Sequence, residues 1–153
     1  MKFAIVSDTH DNLPNLNKVI DFLNKENINV VLHCGDISNQ ETINEASKNF
    51  KGEIKLVRGN ADFSLQKLAE SMKLDLGGKK IAFVHFPQIA KQLAESKKFD
   101  LVFYGHTHRP WEEKIGNCRL VNPGEVAGQR YKPTFALYDT DTDKLELKIL
   151  EKI

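Results

Sequence analysis

Short apolar runs, each closed abruptly by a polar string, govern what this chain can fold into. Phe3 to Val6 leads to Asp8-Thr9-His10, Val30 to His33 leads to Gly35-Asp36, and Ile54 to Val57 leads to Gly59-Asn60. Ile81 to Val84 stops at His85, and Leu101 to Tyr104 leads to Gly105-His106-Thr107-His108. Runs of this length, bounded in this way, read as short buried strands. Between them apolar residues recur at helical spacing. Leu13, Leu16, Val19, Ile20 and Leu23 form one such set, with Pro14 near the first turn; Ile43 and Ala46 form a second. Leu65, Leu68 and Met72 predict a third helix, and Ile89, Leu93 and Ala94 a fourth after Pro87. Gly77-Gly78 marks a turn.

Beyond residue 110 the pattern changes. Trp111 to Ile115, Cys118 to Val121, Thr134 to Tyr138 and Leu145 to Leu150 predict closely spaced antiparallel strands. Gly116-Asn117, Asn122-Pro123-Gly124 and Asp141-Thr142-Asp143 supply the turns. Alternating strands and helices, then hairpins, predict an α/β fold with mixed sheets and helices outside. No repeat or composition break divides the chain, so residues 1–153 are expected to form one domain.

A formal net charge of +1 argues against a broad electrostatic grip on extended nucleic acid or an anionic membrane. Cys34 and Cys118 make no disulfide framework and predict reduced, buried thiols, with Cys34 facing the core. The apolar N-terminal run is too short for a signal peptide or a membrane span, so a cytoplasmic location is expected.

In open α/β sheets, sites form beyond the carboxyl ends of parallel strands. Asp8, Asp36, Asn60, His85 and His106 each lie just past a predicted strand and could meet at one sheet edge. The pairs Asp8/His10 and His106/His108, two residues apart, would project the same way from extended backbone. Together these strings hold two carboxylates, one carboxamide and four of the chain's five histidines. Mixed imidazole and oxygen donors suit Mn, Fe, Zn, Ni or Co better than Mg or Ca. Two such cations, roughly 3.5–4 Å apart, can hold a bridging hydroxide and polarise a phosphoryl group. With Asp8 and Asp36 as the only charged donors the core stays positive, which attracts a small phosphate ester. His33 reads as a structural histidine behind Asp36, and Asp62 as an anchor for the Asn60 loop. Asn12 and Arg58 could contact phosphate or serve structural hydrogen bonds, and Trp111 reads as core or rim packing.

These strings, in this order and spacing, resemble the calcineurin-like metallophosphoesterases, whose pattern is Asp-x-His, Gly-Asp, Gly-Asn, His and Gly-His-x-His. The resemblance covers about residues 1–125 and extends to Arg109-Pro110 and Asn122-Pro123-Gly124. It looks closest to the small single-domain phosphodiesterases of bacteria and archaea. It implies a four-layer αββα sandwich of two mixed sheets flanked by helices. It implies one metal held by Asp8, His10, Asp36 and His108, and a second by Asp36, Asn60, His85 and His106, with manganese favoured. It further implies hydrolysis of small phosphodiesters, and it allows a homo-oligomer. Two positions depart from the family. Ala61 stands where many members carry a histidine that assists the leaving group, and Phe86 stands where many have glycine. Those departures keep a rival expectation open, a weakly catalytic metal-binding scaffold like the retromer subunit of the same fold.

Overall fold

The structure, a computed structural model, describes residues 1–153. The chain runs β1 (Lys2–Val6), α1 (Leu13–Lys25), β2 (Val30–His33), α2 (Gln40–Asn49), β3 (Glu53–Leu56), β4 (Ser71–Leu76) and β5 (Lys79–Val84). It continues through α3 (Pro87–Glu95), β6 (Leu101–Phe103), β7 (Trp111–Ile115), β8 (Cys118–Asn122), β9 (Thr134–Asp139) and β10 (Lys144–Ile149). A 3₁₀ turn at Leu150–Lys152 follows.

Ten strands make two five-stranded sheets, ordered β10-β9-β1-β2-β3 and β4-β5-β6-β8-β7. Both are mixed. β1, β2 and β3 are parallel, with β9 and β10 added antiparallel. β5, β6 and β8 are parallel, with β4 and β7 as antiparallel edges.

The two-residue side-chain period sorts each strand between two apolar layers. Phe3, Ile5 and Leu32 of the first sheet meet Ile81, Phe83, Leu101 and Phe103 of the second in a buried layer between the sheets. Their neighbours Ala4, Val6 and Val31 face the other way, onto Leu16, Val19, Ile20 and Leu23 of α1 and Ala46 of α2. Ala82, Val84 and Val102 turn outward onto Ala90 and Ala94 of α3. Burial on both faces is why these strands read as unbroken apolar runs, and the result is the expected αββα sandwich. Asn12 caps α1 by accepting from the Asn15 amide at 3.1 Å, and Asn39 caps α2 by accepting from Thr42 at 3.0 Å. Cys34 lies in the layer between the sheets, as its position predicts.

One expected element is absent. Leu65, Leu68 and Met72 do not share a helix. Met72, Leu74 and Leu76 alternate with exposed Ser71, Lys73 and Asp75 along β4, which pairs with β5 through the Gly77-Gly78 turn. Leu65 and Leu68 sit in successive turns before it and pack on the helix side of the first sheet. Three apolar residues at spacings of three and four were too few to outweigh a period-two segment beside a glycine turn.

Phe103 is fully buried and meets the Phe3 ring edge-on at 6.0 Å between the sheets. Phe103→Ala is expected to lower unfolding free energy by about 3–5 kcal/mol. Leu147→Ala, at a half-exposed position, should shift it by well under about 1.5 kcal/mol. Urea unfolding of the two variants measures the difference.

Candidate metal centre

The parallel strands of both sheets deliver their carboxyl ends to one place. Asp8 follows β1, Asp36 follows β2, Asn60 follows β3, His85 directly follows β5, and the 105–108 loop follows β6. All seven expected donors come together there. Starting from Asp8 Oδ1, His10 Nε2 lies at 3.5 Å and His108 Nε2 at 3.3 Å, and those two nitrogens are 3.2 Å apart. Asp36 Oδ2 lies 3.5 Å from His10 Nε2 and 3.2 Å from His85 Nε2. Asn60 Oδ1 is 2.9 Å from His85 Nε2 and 3.0 Å from His106 Nδ1, and the two ring nitrogens are 3.3 Å apart.

The route to this convergence differs from the extended-backbone expectation. Asp8 (φ 51°), His10 (φ 44°), Asp36 (φ 60°), His106 (φ 71°) and His108 (φ 64°) all occupy the left-handed region. The pairs Asp8/His10 and His106/His108 therefore reach the cluster from tight turns. Left-handed backbone at non-glycine residues costs about 1–3 kcal/mol each and concentrates at functional sites. Close approach adds a second local demand. A Cβ at Gly59 would overlap Asp36 Oδ1, and one at Gly105 would overlap Ser7 Oγ.

Buried polar groups hold the donors in place. Asp62, fully buried, accepts from the amides of Asp36 (2.8 Å), Gly59 (2.7 Å) and Ser38 (2.7 Å), so it ties the Asp36 and Asn60 loops together. His33 accepts from the Gly35 amide at Nδ1 and therefore donates from Nε2 to Thr9 Oγ1 at 2.9 Å. Burial pushes its pKa down to about 4, consistent with that neutral form. Asn122 donates to the Gly105 carbonyl and to Thr107 Oγ1, bracing the 105–108 loop.

Tautomers aim the lone pairs. His85 Nδ1 faces the Cys34 carbonyl at 2.7 Å, an acceptor only, so this nitrogen donates. In the neutral ring, Nε2 then points a lone pair at Asp36, Asn60 and His106. His108 Nδ1 donates to Glu125 at 2.6 Å, which turns its Nε2 lone pair toward Asp8 and His10. Asp8 Oδ2 accepts from Ser7 Oγ (2.6 Å) and the His106 amide (3.0 Å), whereas its fully buried Oδ1 has no hydrogen-bond partner. An orphaned buried carboxylate oxygen among imidazole lone pairs is matched chemically by a divalent cation. Asp8, His10 and His108 form one group that could hold a metal ion, and Asp8, Asp36 and His85 form another.

The charges around the donors agree. Contact with Asp8 is the main cause that holds the His10 pKa above its ordinary 6.5. Burial lowers that of His85, but hydrogen bonding to Asp36 and the charge of Asp8 outweigh it and the net shift is upward. Asp36 is lowered despite its burial, chiefly by His85. Desolvation and then the neighbouring His85 lower His106.

The other singled-out residues make contacts of their own. Asn12 engages Asn15 and the Ala127 carbonyl, and the Arg58 guanidinium engages Gln66, Leu68 and Glu70. Trp111 is half-exposed beneath the Arg109 guanidinium, at 4.9 Å, so it packs at the rim. Phe86 stands 5.1 Å from the His85 ring and 5.4 Å from that of His106, forming an apolar wall. Glu125, which contacts His108, is not singled out by the sequence. Its only signal is an acid directly after the Asn122-Pro123-Gly124 turn, which reads as solvated.

No helix is long and apolar enough to cross a membrane. The phosphodiesterase MJ0936 of Methanocaldococcus jannaschii is 33% identical over 168 residues, covering 99% of this chain and all of that one. A solved archaeal phosphodiesterase superposes with a TM-score of 0.90 at 30% identity, over 97% of this chain and 99% of the other. Vacuolar protein sorting-associated protein 29 of Schizosaccharomyces pombe is 26% identical over 160 residues, covering 91% of this chain and 84% of its own. Residues 1–143 match the calcineurin-like phosphoesterase superfamily domain. With the sandwich and the clustered Asp and His donors already in place, that match settles the family: the chain belongs to the calcineurin-like phosphoesterase superfamily.

Proposed function

We propose that this chain is a cytoplasmic metal-dependent phosphodiesterase that hydrolyses small phosphodiesters with a pair of divalent cations, manganese favoured. The observation that carries the reading is the position of Asp36. Its Oδ1 is fixed by the Ala61 amide at 2.8 Å, which leaves Oδ2 at the junction of the His10 and His85 nitrogens. Asp36 would then be shared by both cations. Asp8, His10 and His108 complete one half of the centre, and Asn60, His85 and His106 complete the other. When bound, the cations supply Lewis-acid polarisation of the phosphoryl oxygens and an activated water. The protein's own part is positioning. The turns fix the donors, the buried hydrogen bonds fix their lone pairs, and Phe86 sets an apolar ring beside His85 and His106.

The similarity to MJ0936 supports phosphodiesters as the substrate class. Phe86 and Ala61, with the similarity to Vps29, favour a second reading as a metal-binding scaffold. Turnover separates the two. Bis(p-nitrophenyl) phosphate should be hydrolysed with manganese or nickel and not after chelation. Tight metal binding without turnover of any ester would favour the scaffold. Asp36→Ala should remove both metals by elemental analysis and abolish hydrolysis; full retained metal would break the shared-ligand assignment.

Ala61 offers no proton to a departing oxygen. Rates should therefore fall steeply as leaving-group pKa rises from aryl to alkyl esters. Ala61→His should recover part of the roughly 10²–10⁴-fold that a general acid supplies, on alkyl esters selectively. Steady-state kinetics across an ester series reads both slopes.

Proton competition sets the pH dependence. His10 and His85 carry raised pKa values in the metal-free protein. Their stabilisation is therefore complete below their ordinary 6.5 and is lost as pH rises through the raised values. Cation binding runs the opposite way, because it must displace those protons. Manganese should bind more tightly at about pH 8 than at about pH 6, with proton release detectable by calorimetry in two buffers of different ionisation enthalpy.

A further inference from the structure

We propose that Glu125 is a positioning residue that sets the tautomer of His108, and so makes the Asp8–His10–His108 half of the centre the tighter cation site. This rests on the metal-binding reading above but uses geometry that the reading did not need.

Glu125 is fully buried, and no lysine or arginine side chain pairs with it. Oε1 accepts from the Gln129 amide and from Arg130 at 3.1 Å, and Oε2 lies 3.2 Å from the Arg130 amide. Oε2 also accepts a hydrogen bond from His108 Nδ1 at 2.6 Å. Both Glu125 oxygens already accept backbone N–H groups, so His108 is the donor in that contact. The segment carrying Glu125 is tied to the loop that carries Asp8. Val126 donates to the Ser7 carbonyl and Ala127 to the Asp8 carbonyl, both at 3.0 Å. Carboxylate, imidazole and the orphaned Asp8 oxygen thus follow one another in successive contacts of 2.6 and 3.3 Å.

The two halves are backed unequally. A charged carboxylate stands behind His108, whereas the neutral Cys34 carbonyl stands behind His85. A carboxylate partner raises the basicity of a ligating imidazole, and its removal typically costs about 10–100-fold in metal affinity. The His85 half also relies on neutral Asn60 and exposed His106, and contains no such backing acid.

Glu125→Gln is the informative variant because it keeps the shape. If its oxygen serves the Gln129 and Arg130 amides, its NH₂ faces His108 Nδ1. The ring proton must then move to Nε2, aimed at Asp8 and His10. Flipping the amide instead sets NH₂ against two backbone N–H groups. Glu125→Ala removes the buried acceptor but leaves Nδ1 free to donate to water. A tautomer role predicts that Gln harms cation binding more than Ala does, while Ala harms thermal stability more. A merely structural plug predicts that Ala is worse on both counts.

The test uses the full chain, stripped by chelator. Ring ¹⁵N NMR at alkaline pH should find the His108 proton on Nδ1 in the parent and on Nε2 in Glu125→Gln. Manganese titration should show two steps in the parent, with the tighter one weakened about 10–100-fold in Glu125→Gln and the weaker one retained. A parent proton on Nε2, or two unchanged steps in Glu125→Gln, or equal loss at both steps, would overturn the assignment. A parent chain that takes up no manganese would overturn the proposed function together with this inference, so the two failures are distinguishable. Should Glu125→Ala fail to fold, the NMR and titration of Glu125→Gln still decide.

Discussion

Lone pairs of one polarity converge at the centre, and the surrounding structure is arranged to keep them there. His85 and His108 have each committed one ring nitrogen to an acceptor behind it, so each must turn the other inward. Inward lie Asp8, Asp36 and the Asn60 carbonyl, all acceptors. Without a cation, protons relieve this crowding, which is why His10 and His85 hold theirs more strongly than usual. The left-handed residues add strain, and hydrogen bonds to the Asp36 and His106 amides hold two of them in place. Stability has to come from the three apolar layers, and the centre then draws on it. A ligand bound only by the folded state returns part of that stability by mass action.

The sandwich suits this task because two sheets bring several parallel carboxyl ends to one edge. β1, β2 and β3 supply Asp8, Asp36 and Asn60 from one side, and β5 and β6 supply His85 and the 105–108 loop from the other. Donors far apart in sequence meet without any one loop having to be long. Tolerance between the sheets is small. Gly35, Gly59 and Gly105 lie where any Cβ would strike the opposing loop or a donor side chain. These glycines are therefore parts of the site as much as parts of its turns.

Legibility in the sequence followed the strength of each physical signal. β2 and β7 coincide with their expected bounds, because apolar runs buried on both faces, or closed by Pro and Gly-Asn, leave few alternatives. The segment around Met72 is ambiguous in the sequence because a short apolar run satisfies helical and strand periods alike, and pairing with β5 makes it a strand. The meeting of the seven candidate residues at one sheet edge is legible from order and spacing, but the sign of φ at Asp8 and His106 is not, since nothing in a non-glycine residue announces a left-handed turn. Asp62 could be recognised as an anchor from its place beside Asn60. Glu125 could not, because its partner His108 lies across the fold and its turn context looks solvent-facing.

Glu125 also adds a buried negative charge beside the donors. Counting only Asp8 and Asp36 against two divalent cations leaves a positive core that would pull strongly on any anion. Four carboxylates are in fact buried around the donors, Asp8, Asp36, Asp62 and Glu125, and no lysine or arginine side chain pairs with any of them. Two divalent cations would bring that assembly close to neutrality. Long-range attraction for a phosphate ester is then weak, in keeping with a chain whose formal net charge is only +1. On the proposed reading, capture would depend on direct contact at the centre, where a second negative charge on the ester would gain little and lose its hydration. With both proposed cations in place, a near-neutral centre would favour a singly charged diester over a dianionic monoester, and the carboxylate behind His108 would be one of the groups that sets this balance.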